Sequence, residues 1–255
     1  MSTEEQIGRS VRRLEDARFL TGTGRYVDDI VLPGLLHAQV LRSPHAHAVI
    51  EAIDIDAACN VPGVRGVFTE SDLAADGVGA IPCTAQVATV APMIVPPRPA
   101  LACGRVRHVG DPVAFVVAET PFAARDAAER IGVRYRPLPA VIDAAAAMAP
   151  GPLLWDQAPG NVSYRFRKGD KTAVGAAFAD AAHIIELALV NNRLIVAPLE
   201  TRGAIGIHHT HEDSLHLIAS AAGVHNMRDV LADHVFHLPR ARVRVSAPDV
   251  GGGFG

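Results

Sequence analysis

Between Asp111 and Tyr135 the sequence permits little besides a strand, a capped helix and a second strand. Asp111-Pro112 precedes Val113–Ala118, a near-continuous apolar run of the kind found in buried strands. Thr120 is a good N-cap, Pro121 suits the first helical position, and Phe122 to Arg130 carries the helix. Gly132 stops it, and Val133 to Tyr135 begins another strand. Upstream, Leu35 to Arg42 reads as a strand closed by Ser43-Pro44. Val49 to Ile55 alternates as a second strand, a short helix starts at Asp56, and Pro62-Gly63 turns the chain into a third strand, Val64 to Thr69. Residues 81–104 hold Pro82, Pro92, Pro96, Pro97 and Pro99, which predicts an irregular covering loop. The fold class is α+β, with a first module over residues 20–142.

Residues 1–19 form a polar arm bearing Arg12, Arg13 and Arg18, followed by a turn-rich stretch from Leu20 to Tyr26. Ala144 to Pro152 is linker-like in composition, and we set the linker at residues 143–160. The second unit is residues 161–255. It is expected to open with a helix over 170–180, with Val174, Ala177 and Phe178 on one face, and a strand over 182–190. Gly203–His208 and Leu215–Ser220 read as a hairpin, His225–Val235 as a helix, and the stretch before Pro248 as a final strand.

The chain has 255 residues, is 49% hydrophobic and carries a formal net charge of -3, so it can bury a core and shows no basic face for nucleic acid. Cys59, Cys83 and Cys103 are widely spaced with no C-x-x-C, which argues against a disulfide framework, a zinc knuckle or an iron–sulfur ligand set on this chain. Met1 to Arg13 has no apolar signal core, and no apolar run approaches the roughly 20 residues that span a bilayer. A cytoplasmic chain with no membrane span is expected.

Four histidines, His208, His209, His211 and His216, cluster around an acidic hairpin turn. A solvated loop is the favoured reading, because carboxylate and Cys partners are missing. His45 and His47 read as decoration of a strand edge. Gly22-Thr23-Gly24 lacks the third glycine and the buried strand of a dinucleotide fingerprint. Asn192 to Gly203 differs in kind: two cations and Glu200 surround a Pro-directed turn between apolar strands, where sites are commonly built. Last, Ala241 to Pro248 alternates like a half-buried strand and runs into Asp249-Val250-Gly251-Gly252-Gly253-Phe254-Gly255. Glycine permits positive φ and close approach of the main chain. Bare N–H groups emerging from a strand suit an anionic or oxo-bearing group.

Taken together these words resemble the molybdenum hydroxylase family, the large subunits of xanthine dehydrogenase, aldehyde oxidase and aerobic carbon monoxide dehydrogenase. The likeness is carried by Gly8 to Asp16, Leu20 to Asp29, Leu41 to Ala46, Val109 to Ala114 and Tyr135 to Val141. In the second unit it is carried by Asn192-Arg193, Ala197 to Glu200, His225 with Arg228, and Ser246 to Gly255. The resemblance implies an α/β hammerhead domain over 20–142 and the first part of a molybdopterin-binding domain over 161–255. It implies a molybdenum–molybdopterin cofactor, shared with a C-terminal remainder of the large subunit. It also implies hydroxylation of a carbon centre with water-derived oxygen, an Fe–S small subunit, and a medium subunit carrying FAD. By position, Gly252, Gly253, Phe254 and Gly255 fall on the cofactor loop, with the Phe254 main-chain N–H near an oxo ligand.

Two departures qualify that reading. The family places Gln three residues before His225, and this chain has Ala222, whose methyl can form no hydrogen bond. The family also continues for several hundred residues past the glycine loop, which supply most cofactor contacts and the glutamate base. No residue here is therefore assigned as catalytic or as a metal ligand, and activity of this polypeptide alone is not expected. The alternatives are a non-catalytic, degenerate paralogue acting as an assembly module, and an independent α+β binding domain of shared ancestry. Carbon monoxide as substrate would need a Cys-bearing loop, and no Cys lies in the second unit.

Overall fold

Among the described residues nine strands form three small sheets, and the burial of one central strand explains how the first two are put together. The computed structural model describes residues 8, 10–85, 87, 91–192 and 194–254. β1 (His37–Arg42), β2 (Ala48–Asp54), β3 (Val64–Phe68), β4 (Arg105–Val106), β5 (Pro112–Ala118) and β6 (Gly132–Pro137) make two antiparallel sheets, ordered β1-β5-β3 and β4-β2-β6. In β5, Ala114 and Val116 face α2 (Asp56–Cys59) and α4 (Pro121–Glu129), joining Ala58, Ala127 and Ala128 in one core cluster. Val113 points the other way and packs with Ala48, Ala102 and Val106. One face of β5 is thus covered along the strand and the other at Val113, while Phe115 on that second face stays 36% exposed, so the apolar run exceeds what burial alone requires.

α4 begins as the sequence predicts. The Thr120 hydroxyl accepts from the Ala123 N–H at 3.1 Å and Pro121 occupies the first turn. Small residues at 124, 127 and 128 let the helix lie close on the sheet. α3 (Glu70–Ala75) is opened by Thr69, whose N–H donates to Asp72 at 2.7 Å. The Ala/Pro/Gly-rich segment after β6 is an ordered strap: Asn161 accepts from the Leu154 N–H at 2.9 Å and donates to the carbonyls of Ala147 and Pro152, both at 3.0 Å. The Arg107 guanidinium lies 3.4 Å over the Trp155 ring and donates to the Leu154 carbonyl at 2.8 Å. The proline-rich stretch is pinned by a pair of bonds between Ile94 and Ser163.

In the second unit, β7 (Ala204–His209) and β8 (Ser214–Ala219) form the expected antiparallel hairpin, and β9 (Val243–Ser246) adds parallel to β8. Parallel pairing needs a long crossover. α6 (Val224–Val230), continued by a wider π-type turn over Leu231–Val235, supplies it and packs on β9. α5 (Lys171–Ala179) is capped by Asp170, which accepts from Thr172 and Ala173 N–H at 2.8 and 3.0 Å.

Two expectations need correction. The strand expected over 182–190 is not formed. The stretch is irregular and solvent-facing, Ile185 being 92% exposed, because no described strand pairs with it. The N-terminal arm contains a helix, α1 (Asp16–Leu20). By internal contacts the chain divides into two units, Gly34–Leu194 with Asp233–His237, and the described residues up to Pro33 with Ile195–Ala232 and Leu238 onward. The N-terminal stretch therefore belongs by contact with the glycine segment.

Candidate functional site

β9 delivers the chain into Asp249, and from there two carboxylates fix the backbone. Asp249 accepts from the Arg18 guanidinium and from the Arg25 N–H, both at 2.7 Å, while its own N–H donates to the Arg25 carbonyl at 3.0 Å. Two residues on, the Gly251 N–H donates to Glu200 Oε2. The Ser220 hydroxyl, just past the end of β8, donates to the same oxygen at 2.9 Å. Glu200 Oε1 is buried and takes no partner among the described residues. Such an acceptor costs on the order of 1–3 kcal/mol, so its retention asks for a reason beyond stability.

Two of the glycines are required where they stand. A Cβ on Gly251 would collide with the Glu200 side chain. Gly252 has φ +126° and would meet the Phe254 ring. Beyond Gly251 the chain lines a cavity of about 740 Å³, within the range that small-molecule sites occupy. Its walls include Glu200, Arg202, Ala222, Gly252, Gly253 and Phe254. Among the described residues the N–H groups of Gly252, Gly253 and Phe254 have no backbone acceptor. The cavity wall thus carries three residues with unused main-chain N–H groups, the cation Arg202, the methyl of Ala222 and the Glu200 carboxylate already engaged by Gly251 and Ser220. The free donors beside a cation suit an anionic or oxo-bearing group.

The structure brings Gly252, Gly253, Phe254 and Ala222 together at this cavity; Gly255 and Arg193 lie outside the described residues. Sequence reading marked Glu200 as part of an unusual turn but did not connect it to the glycine segment, 51 residues away. Arg202 belongs to that same turn, as one of its two cations, whereas no local pattern flags Ser220.

Other candidates fall elsewhere. The rings of His209 and His216 stack at 6.2 Å, and His208 faces Asp213 at 3.5 Å. His216 Nε2 bonds to the Ser246 hydroxyl at 2.8 Å. Burial, then Arg244 and His209, lowers the His216 pKa. Among the described residues no group of three or more His, Cys, Asp or Glu could hold a metal ion. His47 departs from the expectation of a strand-edge decoration. It is 3% exposed and bonded through Nδ1 to the Pro139 carbonyl at 2.9 Å, while His45 packs edge-on against Tyr135. Arg228 is engaged by Asp229 at 2.7 Å.

Comparison with known proteins bears on both parts of the chain. Residues 21–139 match the family described as aldehyde oxidase and xanthine dehydrogenase, a/b hammerhead domain. Residues 154–255 match the molybdopterin cofactor-binding domain. The class is thus a hammerhead domain followed by molybdopterin-binding sequence. Among solved structures, quinoline 2-oxidoreductase from Pseudomonas putida 86 is similar with a TM-score of 0.89 and 38% identity, over 98% of this chain and 31% of that one. The nicotine 6-hydroxylase large subunit of Paenarthrobacter nicotinovorans is 39% identical over 99% of this chain and 30% of its own length. The carbon monoxide dehydrogenase large chain of Hydrogenophaga pseudoflava is 35% identical over 94% of this chain and 30% of its own length. The chain belongs to the molybdenum hydroxylase large-subunit family, and spans about 30% of the length of the curated relatives it matches.

Proposed function

We propose that this chain furnishes one wall of the molybdopterin pocket in an oxidoreductase that hydroxylates a carbon centre with water-derived oxygen. When bound, the molybdenum cofactor would supply the two-electron redox chemistry. The chain's own part is to bind and orient. Gly252, Gly253 and Phe254 would offer main-chain N–H donors to the group, and we keep Gly255, which lies outside the described residues, as a cofactor-loop position on sequence alone. Ala222 would close one side with a methyl that neither donates nor accepts. Fixed donors of this kind need no reorganisation when charge develops beside them. The observation that carries this reading is the glycine loop lining a 740 Å³ cavity, with the N–H groups of Gly252, Gly253 and Phe254 unused among the described residues.

The partners we propose are the remainder of the large subunit, an Fe–S subunit and a subunit carrying FAD. The exposed apolar side chains of Ile184, Ile185, Leu187, Leu189 and Val190, with Phe178 of α5, are the kind of surface a further part of the large subunit would cover. We keep residues 20–142 as the hammerhead, 143–160 as the linker and 161–255 as molybdopterin-binding sequence. A cytoplasmic location is favoured by three free, exposed cysteines. Among the described residues no helix is long and apolar enough to cross a membrane.

Co-expression with the remaining large-subunit sequence and the two partner subunits should yield a complex containing molybdenum, flavin and iron, while this chain alone should bind no stoichiometric molybdenum. Metal analysis showing one molybdenum per isolated chain would overturn the single-wall reading. One observation favours a second reading, a non-catalytic assembly module: Ala222 stands where the family has a hydrogen-bonding Gln. A metal-free complex from the same co-expression would select it.

A further inference from the structure

We propose that Glu200 is the positioning residue of the glycine loop, a carboxylate whose task is to fix the course of Gly251–Phe254 rather than to stabilise the fold. The route of support is continuous. Ser220 is anchored at the end of β8 by its N–H to the Gly203 carbonyl at 3.4 Å, and its hydroxyl donates to Glu200 Oε2 at 2.9 Å. The same oxygen accepts the Gly251 N–H, so the sheet is tied to the loop through one atom. Asp249 holds only the base of the segment. Between that base and Phe254, Glu200 is the side chain that fixes the main chain among the described residues.

The distribution of bonds separates positioning from stabilisation. One Glu200 oxygen receives both donors while the other is buried with none. A carboxylate serving the fold would have both oxygens satisfied. Removing this one frees the loop and at the same time removes a buried orphan acceptor, so the two effects on global stability oppose each other. The loop loses its tether with nothing to offset it. The close packing of Gly251 against the Glu200 side chain matches this role, since any Cβ there would displace the carboxylate. The inference concerns order within the chain itself and holds whatever group occupies the cavity.

The test is NMR on the full chain without cofactor. In Glu200→Ala the Gly251 amide should exchange about tenfold faster or more, the loss of a charge-assisted bond. The amide order parameters of Gly252, Gly253 and Phe254 should fall from the rigid range near about 0.85 toward about 0.6 or lower. Amides of β8 and β9 should keep their protection. Glu200→Gln retains an acceptor for both donors and should restore loop order. Ser220→Ala, a milder change, should speed Gly251 exchange about threefold, and it carries the test if Glu200→Ala does not fold. An unchanged loop in Glu200→Ala or Ser220→Ala overturns the proposal. So does equal loosening in Glu200→Gln, or loss of β8 and β9 protection in step with the loop.

Discussion

Residues 37–137 and residues 171–199 are both rich in apolar side chains, yet one set is covered and the other is not. In the first, Val106, Val113 and Val116 are fully buried, and two clusters pack against opposite faces of β5. In the second, Val174 and Phe178 stand more than half exposed on α5, and Leu187, Leu189 and Ile195 are more exposed still. Hydrophobic composition therefore does not by itself make a core; a facing layer does. The first region brings its own second layer in the form of helices and a second sheet. The second has a helix and an apolar run, but no described element faces them.

The largest effect that could break this contrast comes from placing a charge in each region. Val116→Asp buries an unpaired carboxylate between β5 and α4 and should cost more than about 4 kcal/mol, abolishing the cooperative melt of the hammerhead. Ile185→Asp, at a site 92% exposed, should change stability by no more than about 0.5 kcal/mol. Thermal unfolding of both variants by circular dichroism checks the pair. Equal destabilisation would mean that the second stretch is covered in solution and the contrast is false.

Capping offers a finer comparison, because the two longest helices of these regions start with the same device. Thr120 caps α4, which packs on a sheet, and Asp170 caps α5, which has no buried residue. Thr120→Ala should lower global stability by about 1 kcal/mol. Asp170→Ala should leave the melting curve unchanged and instead speed amide exchange at Thr172 and Ala173, since a helix without tertiary cover opens locally. A shared loss of melting temperature would show α5 to be part of the cooperative core.

What could be read in advance follows the range of the interactions. Strand, cap, proline and glycine signals from Asp111 to Tyr135 are local, and the structure follows them closely. The hairpin around the histidines is local too. The strand expected over 182–190 is absent because apolar content makes a strand only where a partner strand pairs with it, which composition cannot supply. The helix ending near Val235 was expected, but not its loosening into a π-type turn after Val230. The glycine segment was legible as a backbone site. Its support was not: Glu200 and Gly251 are 51 residues apart, and Arg18 and Asp249 are 231 apart. The burial of His47 is equally hidden from local sequence, its Pro139 acceptor lying 92 residues on.

The third sheet, β7-β8-β9, lies between the two extremes, and His216 at its centre gives the smallest of the expected effects. Burial, then the charges of Arg244 and His209, holds the imidazole below the ordinary histidine value. The unfolded chain, with a value near about 6.5, then binds a proton at a pH where the folded sheet does not. The stability this contributes is complete above the unfolded value and is lost as the pH falls through it toward the folded one. His216 is only partly buried, so solvent screening keeps the slope shallow. Melting temperature should therefore drop more between pH 7.5 and 5.5 in the wild type than in His216→Gln, whose amide can still bond Ser246, and an equal drop in both would place the acid sensitivity in another group.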